Sequence, residues 1–270
     1  MSSLAHLTDR DVIAVSGPEA STFLQGLITN DTGSLSEGST MYAALLTPQG
    51  KVLFDFLVVA REGGFLLDAP AVTADALIKR LTLYRLRSKV TIARRDDLAV
   101  LAGWDRAQLP DAGFADPRLA ALGRRAIVSR DAIPQDAAGP DAWHGHRLDC
   151  GVPEGADFGQ DRIFALDADL DELHAVSFEK GCYVGQELTA RMKHRGTARK
   201  RVLPVATLDG TALTAADVSA ATLEIGSVVS IYGARGFALI RLDRLAESQG
   251  AELRVAGTLV RVTKPAWLSA

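Results

Sequence analysis

Residues 178–191 read Phe-Glu-Lys-Gly-Cys-Tyr-Val-Gly-Gln-Glu-Leu-Thr-Ala-Arg, and they concentrate the chemistry of the chain. Cys182 lies between Gly181 and Gly185, with Lys180 two residues before it and Gln186-Glu187 four and five residues after it. The thiolate is the reactive form, so a working cysteine needs room for approach and nearby positive charge, whereas a packing cysteine has apolar neighbours. The glycines supply the room and Lys180 the charge, and a helix beginning at Gly185 would add the positive end of its dipole. The pattern points to a functional thiol, against the plainer reading of a small buried residue. Cys150 borders Asp149, gains no cation from its neighbours, and reads as core filler.

Other polar residues stand out by position. Asp55 falls within Val52-Leu-Phe-Asp-Phe-Leu-Val58, apolar on both strand faces, and is either a hydrogen-bonded structural carboxylate or a group with a chemical role. Asn30-Asp31 reads as a turn or helix cap formed through local side-chain bonds, or as a ligand contact. Arg191, Lys193, Arg195, Arg199, Lys200 and Arg201 form a basic run directly after the thiol motif, which is a solvated face or an anion site. Trp143-His144-Gly145-His146 carries two histidines without a third ligand at metal-site spacing, so no metal is expected.

The elements that must position these groups read as mixed α/β. Asp11–Val15 is a strand, Ser16-Gly17-Pro18 supplies a helix start, and Phe23, Leu24, Leu27 and Ile28 follow at helical spacing. Met41–Thr47 and Lys51–Ala60 form a hairpin across Pro48-Gln49-Gly50, and Phe65–Asp68 adds a third strand. Ala71–Leu86 carries Leu77, Ile78, Leu81 and Tyr84 on a sheet-packing helical face. Val90–Ile92, Leu98–Leu101 and Ala126–Val128 return to strand character, whereas residues 105–140 are otherwise loop-rich. After Lys200 the texture becomes short strands at regular spacing: Val202–Leu208, Ile225–Tyr232, Gly236–Leu242 and Leu253–Val262, as in a small barrel or sandwich. A boundary near residue 200 follows, giving domains 1–198 and 199–270.

Composition sets limits. A chain of 270 residues, 47% hydrophobic, can bury one large core or divide into two or three domains. No apolar stretch reaches the roughly 20 residues of a membrane span, and no signal-peptide pattern opens the chain. Two cysteines are too few for a disulfide framework, which predicts a reducing, cytoplasmic location. A net charge of −3 argues against a globally basic nucleic-acid binder.

The segment Lys180-Gly-Cys-Tyr-Val-Gly-Gln-Glu187 resembles the K-G-C-Y-x-G-Q-E signature of the YgfZ-type folate-binding proteins, relatives of the glycine-cleavage aminomethyltransferases that act in iron–sulfur cluster assembly. Phe23-Leu-Gln-Gly-Leu-Ile-Thr-Asn-Asp31 is similar to the F-L-Q-x-x-x-T-N-D element of that superfamily, Gly50–Asp55 to its G-x-x-x-x-D strand, and Arg147-Leu-Asp-Cys-Gly-Val-Pro153 to its R-x-E-x-G-x-P element, with Asp for Glu. Gln186–Arg191 with Arg199–Arg201 looks closest to the branch that includes the mitochondrial assembly factors.

The resemblance implies an α+β, aminomethyltransferase-like fold: two α/β subdomains forming a folate-binding body, and a small C-terminal β-barrel, around a central channel for tetrahydrofolate or a derivative. It implies Cys182, Asp55 and Lys180 as the chemical groups, and Asp149, Arg147, Asn30, Tyr183, Gln186, Glu187, Arg191 and Arg199 as folate-binding residues, with Asp149 accepting from the pterin. The leading function implied is a tetrahydrofolate-binding accessory protein in iron–sulfur cluster assembly or repair, with assembly proteins or apo clients as partners. A folate-dependent methyl or aminomethyl transferase and a tRNA-modification accessory protein are the alternatives. Phe54 counts against the transferase, because true aminomethyltransferases carry an Asp-Asp pair where this chain has Phe54-Asp55. The lack of aromatics within the basic run counts against the tRNA reading.

Overall fold

In the computed structural model, residues 3–110, 113–196, 199–248 and 250–269 are described. The elements run β1 (Leu4–His6), β2 (Arg10–Ser16), α1 (Ala20–Gln25), β3 (Thr40–Leu46), β4 (Val52–Arg61), β5 (Gly64–Pro70), α2 (Ala71–Arg85), β6 (Thr91–Arg94), β7 (Leu98–Gly103), β8 (Phe114–Ala115) and β9 (Arg124–Ser129). They continue through α3 (Pro140–Asp149), α4 (Gly155–Phe158), α5 (Gln186–Arg195), β10 (Lys200–Thr207), β11 (Asp217–Ala220), β12 (Leu223–Tyr232), β13 (Arg235–Arg241), α6 (Leu242–Glu247), β14 (Leu253–Val255) and β15 (Thr258–Val262). Three sheets result: a five-stranded one in the order β3-β4-β5-β2-β6, a four-stranded one in the order β1-β7-β9-β8, and a closed barrel β10-β13-β12-β11-β14-β15.

The two-residue side-chain alternation of a strand decides how these layers meet. On β4, Phe54, Phe56 and Val58 join α1 and the buried α2 residues Ala74, Leu77 and Leu81 in one core. Leu57 and Val59 face the other way, into a second core shared with the four-stranded sheet and the segment 163–175. The barrel has its own interior, including Leu203, Val205, Ile225, Ala238, Ile240 and Val260. The alternate residues Val202 and Phe237 point outward and complete the second core, so the barrel is packed onto the body through its wall.

The expected hairpin, third strand and sheet-packing helix are present. Leu253–Val262, read as one strand, is a hairpin turning at Ala256-Gly257, both at positive φ. The 105–140 stretch hides β8, and α3 begins at its end with Pro140 in the first helical turn. No helix among the described residues is long and apolar enough to cross a membrane.

Candidate functional site

Cys182 is exposed on the loop that leads into α5. The loop is held from both sides of the thiol. Before it, Lys180 is buried, its Nζ donating to Ile28 O at 2.8 Å and Asn30 O at 2.7 Å. Burial pushes the Lys180 ammonium down to about 8, an effect the charge of Asp31 partly offsets. After it, the buried Tyr183 ring lies 5.3 Å from Lys180 Nζ, and burial raises its hydroxyl to about 12. The turn into α5 is made at Gly185, φ 82°, where a Cβ would stand 2.5 Å from Thr47 O. Only glycine fits that approach. The loop is therefore clamped onto the 28–30 segment and the β3–β4 turn, while the thiol between the clamps stays open to solvent.

Asn30 completes the same clamp: its side-chain nitrogen donates to Tyr42 O and His174 O, both at 2.8 Å. Gln186 is half-buried at the start of α5. Glu187 and Arg191 pair with each other at 2.7 Å on its exposed face. Arg199 is exposed, whereas Arg201 is buried against Asp169, Asp171 and Leu166 O. Of the basic run, then, Arg201 is a structural clamp and Lys193 leans on Asp171 at 3.3 Å and on the Phe178 ring. Arg191, Arg195, Arg199 and Lys200 face solvent.

Asp55 sits apart from the thiol loop in a buried ionic network. It accepts from Tyr42 Oη at 2.8 Å and from the backbone N–H of Gly155, and an added Cβ at Gly155 would collide with its carboxylate. Burial raises its pKa despite the opposing charge of Arg10. Around it, Arg10 and Arg125 pair with Asp68 at 2.6 and 2.7 Å, Arg118 with Asp116 and Glu154 at 2.7 Å each, and Arg147 with Asp157 at 2.7 Å. Glu154 is the hub: burial works against its charge, but Arg118, Arg147, Arg10 and Arg125 hold its carboxyl well below the usual range. Asp157 reaches the barrel through Ser230 Oγ at 2.7 Å and Tyr232 Oη at 3.0 Å. Arg147, an expected folate contact, is thus wholly buried as a structural member of this network. Phe54 belongs to the helix-covered core, yet it also lines, beside Asp55 and Gly155, a cavity of about 420 Å³, so the position where the paired carboxylate is missing adjoins Asp55 in space.

Asp149, the last residue of α3, lines a cavity of about 570 Å³ between body and barrel. Its walls include Leu148, Cys150, Pro204, Pro265 and Trp267, and its polar rim includes Asp149, Arg235 and Lys264. Asp149 pairs with Arg235 across the junction, both side chains largely exposed. Trp267 Nε1 donates to Cys150 O at 3.0 Å, fixing the ring. Burial, and next the charge of Asp149, raise the pKa of the half-buried Cys150 thiol. A largely apolar hollow of this size with few polar groups suits a small planar ligand. The lining residues include Asp149 and Cys150 but not Cys182, so the two groups of expected site residues occupy different places.

Sequence reading missed Arg235, Lys264 and Trp267 in this cavity and Arg10, Tyr42, Arg118, Arg125, Glu154 and Asp157 in the network. The signal that flagged Asp55, a charge on an apolar strand, is also present at Asp68 and Arg125. The two histidines of α3 serve separate partners, His144 meeting Asp9 at 2.7 Å and His146 meeting Ala121 O at 2.9 Å.

Residues 199–270 match the CAF17 C-terminal beta-barrel domain. The whole chain is similar to the iron-sulfur cluster assembly factor IBA57, mitochondrial, of Homo sapiens, at 33% identity over 94% of this chain and 83% of that protein. It is 36% identical to the IBA57 homolog of Neurospora crassa over 74% of this chain and 53% of that one, and 37% identical to that of Mycosarcoma maydis over 75% and 56%. The chain thus spans about half the length of these fungal relatives. The glycine cleavage system aminomethyltransferase T from Bartonella henselae superposes with a TM-score of 0.77 over 99% of this chain and 87% of that one, at 18% identity. That likeness is one of fold, and the fold is the aminomethyltransferase-like one expected. The cytoplasmic location is overturned: the relatives are named mitochondrial. Free thiols report a reducing compartment and do not distinguish one such compartment from another.

Proposed function

The chain belongs to the IBA57 family of iron–sulfur cluster assembly factors, and from that premise we propose that it serves cluster assembly or repair with Cys182 as its working thiol and a reduced folate in the Asp149 cavity. The observation that carries the reading is the setting of Cys182, an exposed thiol on a loop clamped by Lys180 and Gly185. A thiol held this way is presented to a macromolecular partner without first having to order its loop. It loses its proton as its sulfur joins iron of a cluster in transit, and regains one when the cluster moves on. Residues 1–198 are the folate-binding body, and 199–270 the barrel that supplies the facing wall of the cavity.

The cavity residues fit a tetrahydrofolate. Leu148, Pro204 and Trp267 offer apolar walls for the ring, Asp149 accepts from its N–H edge, and Lys264 supplies positive charge for the glutamate tail. A folate-dependent glycine cleavage activity is not part of this reading, because Phe54 brings no second carboxylate to the cavity it lines with Asp55, and Asp55 is held by Tyr42 and Gly155. The test is reactivation of a purified apo iron–sulfur enzyme by ferrous iron, sulfide and thiol. Addition of this protein with tetrahydrofolate is expected to speed recovery of activity, and recovery at the rate seen without it overturns the proposal.

A further inference from the structure

The polar rim of the Asp149 cavity carries an ion pair. Arg235 Nη1 donates to Asp149 Oδ1 from the first residue of β13, so the barrel side chain crosses the junction onto the body's carboxylate. A guanidinium presents adjacent N–H donors on one carbon in one plane, and the 2-amino-4-oxo pyrimidine edge of a pterin presents the same pattern. Arg235 engages Oδ1 of Asp149, so a pterin edge that takes both carboxylate oxygens side by side has to displace it. Resting on the reading that this cavity takes a reduced folate, we propose that Arg235 is a resident competitor of the ligand, its guanidinium holding the place of the pterin's donor edge on Asp149 so that ligands enter by exchange.

The exchange makes Arg235 a specificity residue. A ligand without a guanidine-like edge would leave Asp149 with no replacement partner, and an incoming pterin restores its hydrogen bonds. The pair is easy to open. Asp149 and Arg235 are 67% and 45% exposed, and exposed pairs are worth at most about 1 kcal/mol, a factor of about five in affinity. The Arg235 backbone is fixed by its register opposite Ala206 and Tyr232, so the side chain can swing aside while the sheet stays in place. The remaining wall is set in advance by the hydrogen bond from Trp267 to Cys150 O.

The experiment uses 6-methyltetrahydropterin, which has the ring without the glutamate tail, titrated by calorimetry into the full chain. Arg235→Ala is expected to bind it up to about fivefold more tightly than wild type. Asp149→Ala is expected to lose about fivefold or more, and the double variant to gain nothing over Asp149→Ala. Rising salt should tighten binding to wild type by screening the pair, and leave Arg235→Ala unchanged. Weaker or equal binding by Arg235→Ala overturns the proposal, because Arg235 would then be a ligand contact or a bystander. Failure of wild type and Arg235→Ala alike to bind either this probe or tetrahydrofolate overturns the folate reading beneath it, an outcome distinct from the other two.

Discussion

The two thiols of this chain live in opposite settings, and the difference predicts their reactivity. Cys182 is exposed, whereas Cys150 is half-buried, with burial and then the Asp149 carboxylate raising its pKa. Under limiting iodoacetamide near pH 7.5, Cys182 is expected to label first, by tenfold or more, and peptide mapping of the alkylated chain checks it. Asp149 carries the second prediction: Asp149→Ala should weaken tetrahydrofolate binding by about 1–3 kcal/mol if its carboxylate makes a charge-assisted hydrogen bond, as calorimetry would read. The thiol motif was legible because glycines, a cation and a thiol in one short stretch are informative locally. Lys180 was legible as a cation but not as a buried one, because the carbonyls that hold it belong to Ile28 and Asn30, about 150 residues away. Arg235 could not be found at all, since its partner Asp149 lies 86 residues away.

Among the elements, the segment between α4 and α5 is the one whose form follows electrostatics. Asp167, Asp169, Asp171 and Glu172 crowd there against Arg201 of β10, with Lys193 of α5 and Lys200 nearby, and Oδ1 of the buried Asp169 has no hydrogen-bond partner. Burial, with the Asp171 charge adding to it and Lys200 and Arg201 opposing, lifts Asp167 from 3.8 to about 6. The folded chain then binds this proton more tightly than the unfolded one. The stabilisation is whole below about pH 4 and is lost as pH rises through 6. Asp167→Asn, which has no charge to bury, should therefore be more stable than wild type above pH 6, by about 1 kcal/mol after allowance for partial exposure, with the gain shrinking toward pH 4. Urea titrations at pH 4 and 7.5 would show it, and an equal offset at both would contradict it. Strands and α2 were readable from hydrophobic period because one buried face writes that period into the sequence. This segment was not, because its turns are set by Arg201 and by backbone bonds such as Leu170 to Ala165, which leave no period.

Taken as one molecule, the body and barrel are joined by apolar packing of Val202 and Phe237 and by a buried network that runs from Arg10 through Glu154 and Asp157 to Tyr232. Removing one member of such a network leaves uncompensated charge at low dielectric, so Glu154→Gln should cost about 3–5 kcal/mol in urea unfolding. Loss below 1 kcal/mol would show that the arginines find other partners. The layered fold and the barrel were readable in outline, since strand texture changes near residue 200, whereas the network joining them was not: its members come from β2, β5, β9, α3 and α4 and meet only in three dimensions. That joined frame keeps an exposed thiol on one loop apart from a cavity at the body–barrel junction. The most direct measurement is the activity of an iron–sulfur client enzyme in cells that lack this protein and are supplied with wild type, Cys182→Ser or Cys150→Ser at equal expression. The account predicts recovery with wild type and Cys150→Ser and little or none with Cys182→Ser. Full recovery with Cys182→Ser would contradict it and return the clamped thiol loop to a structural role.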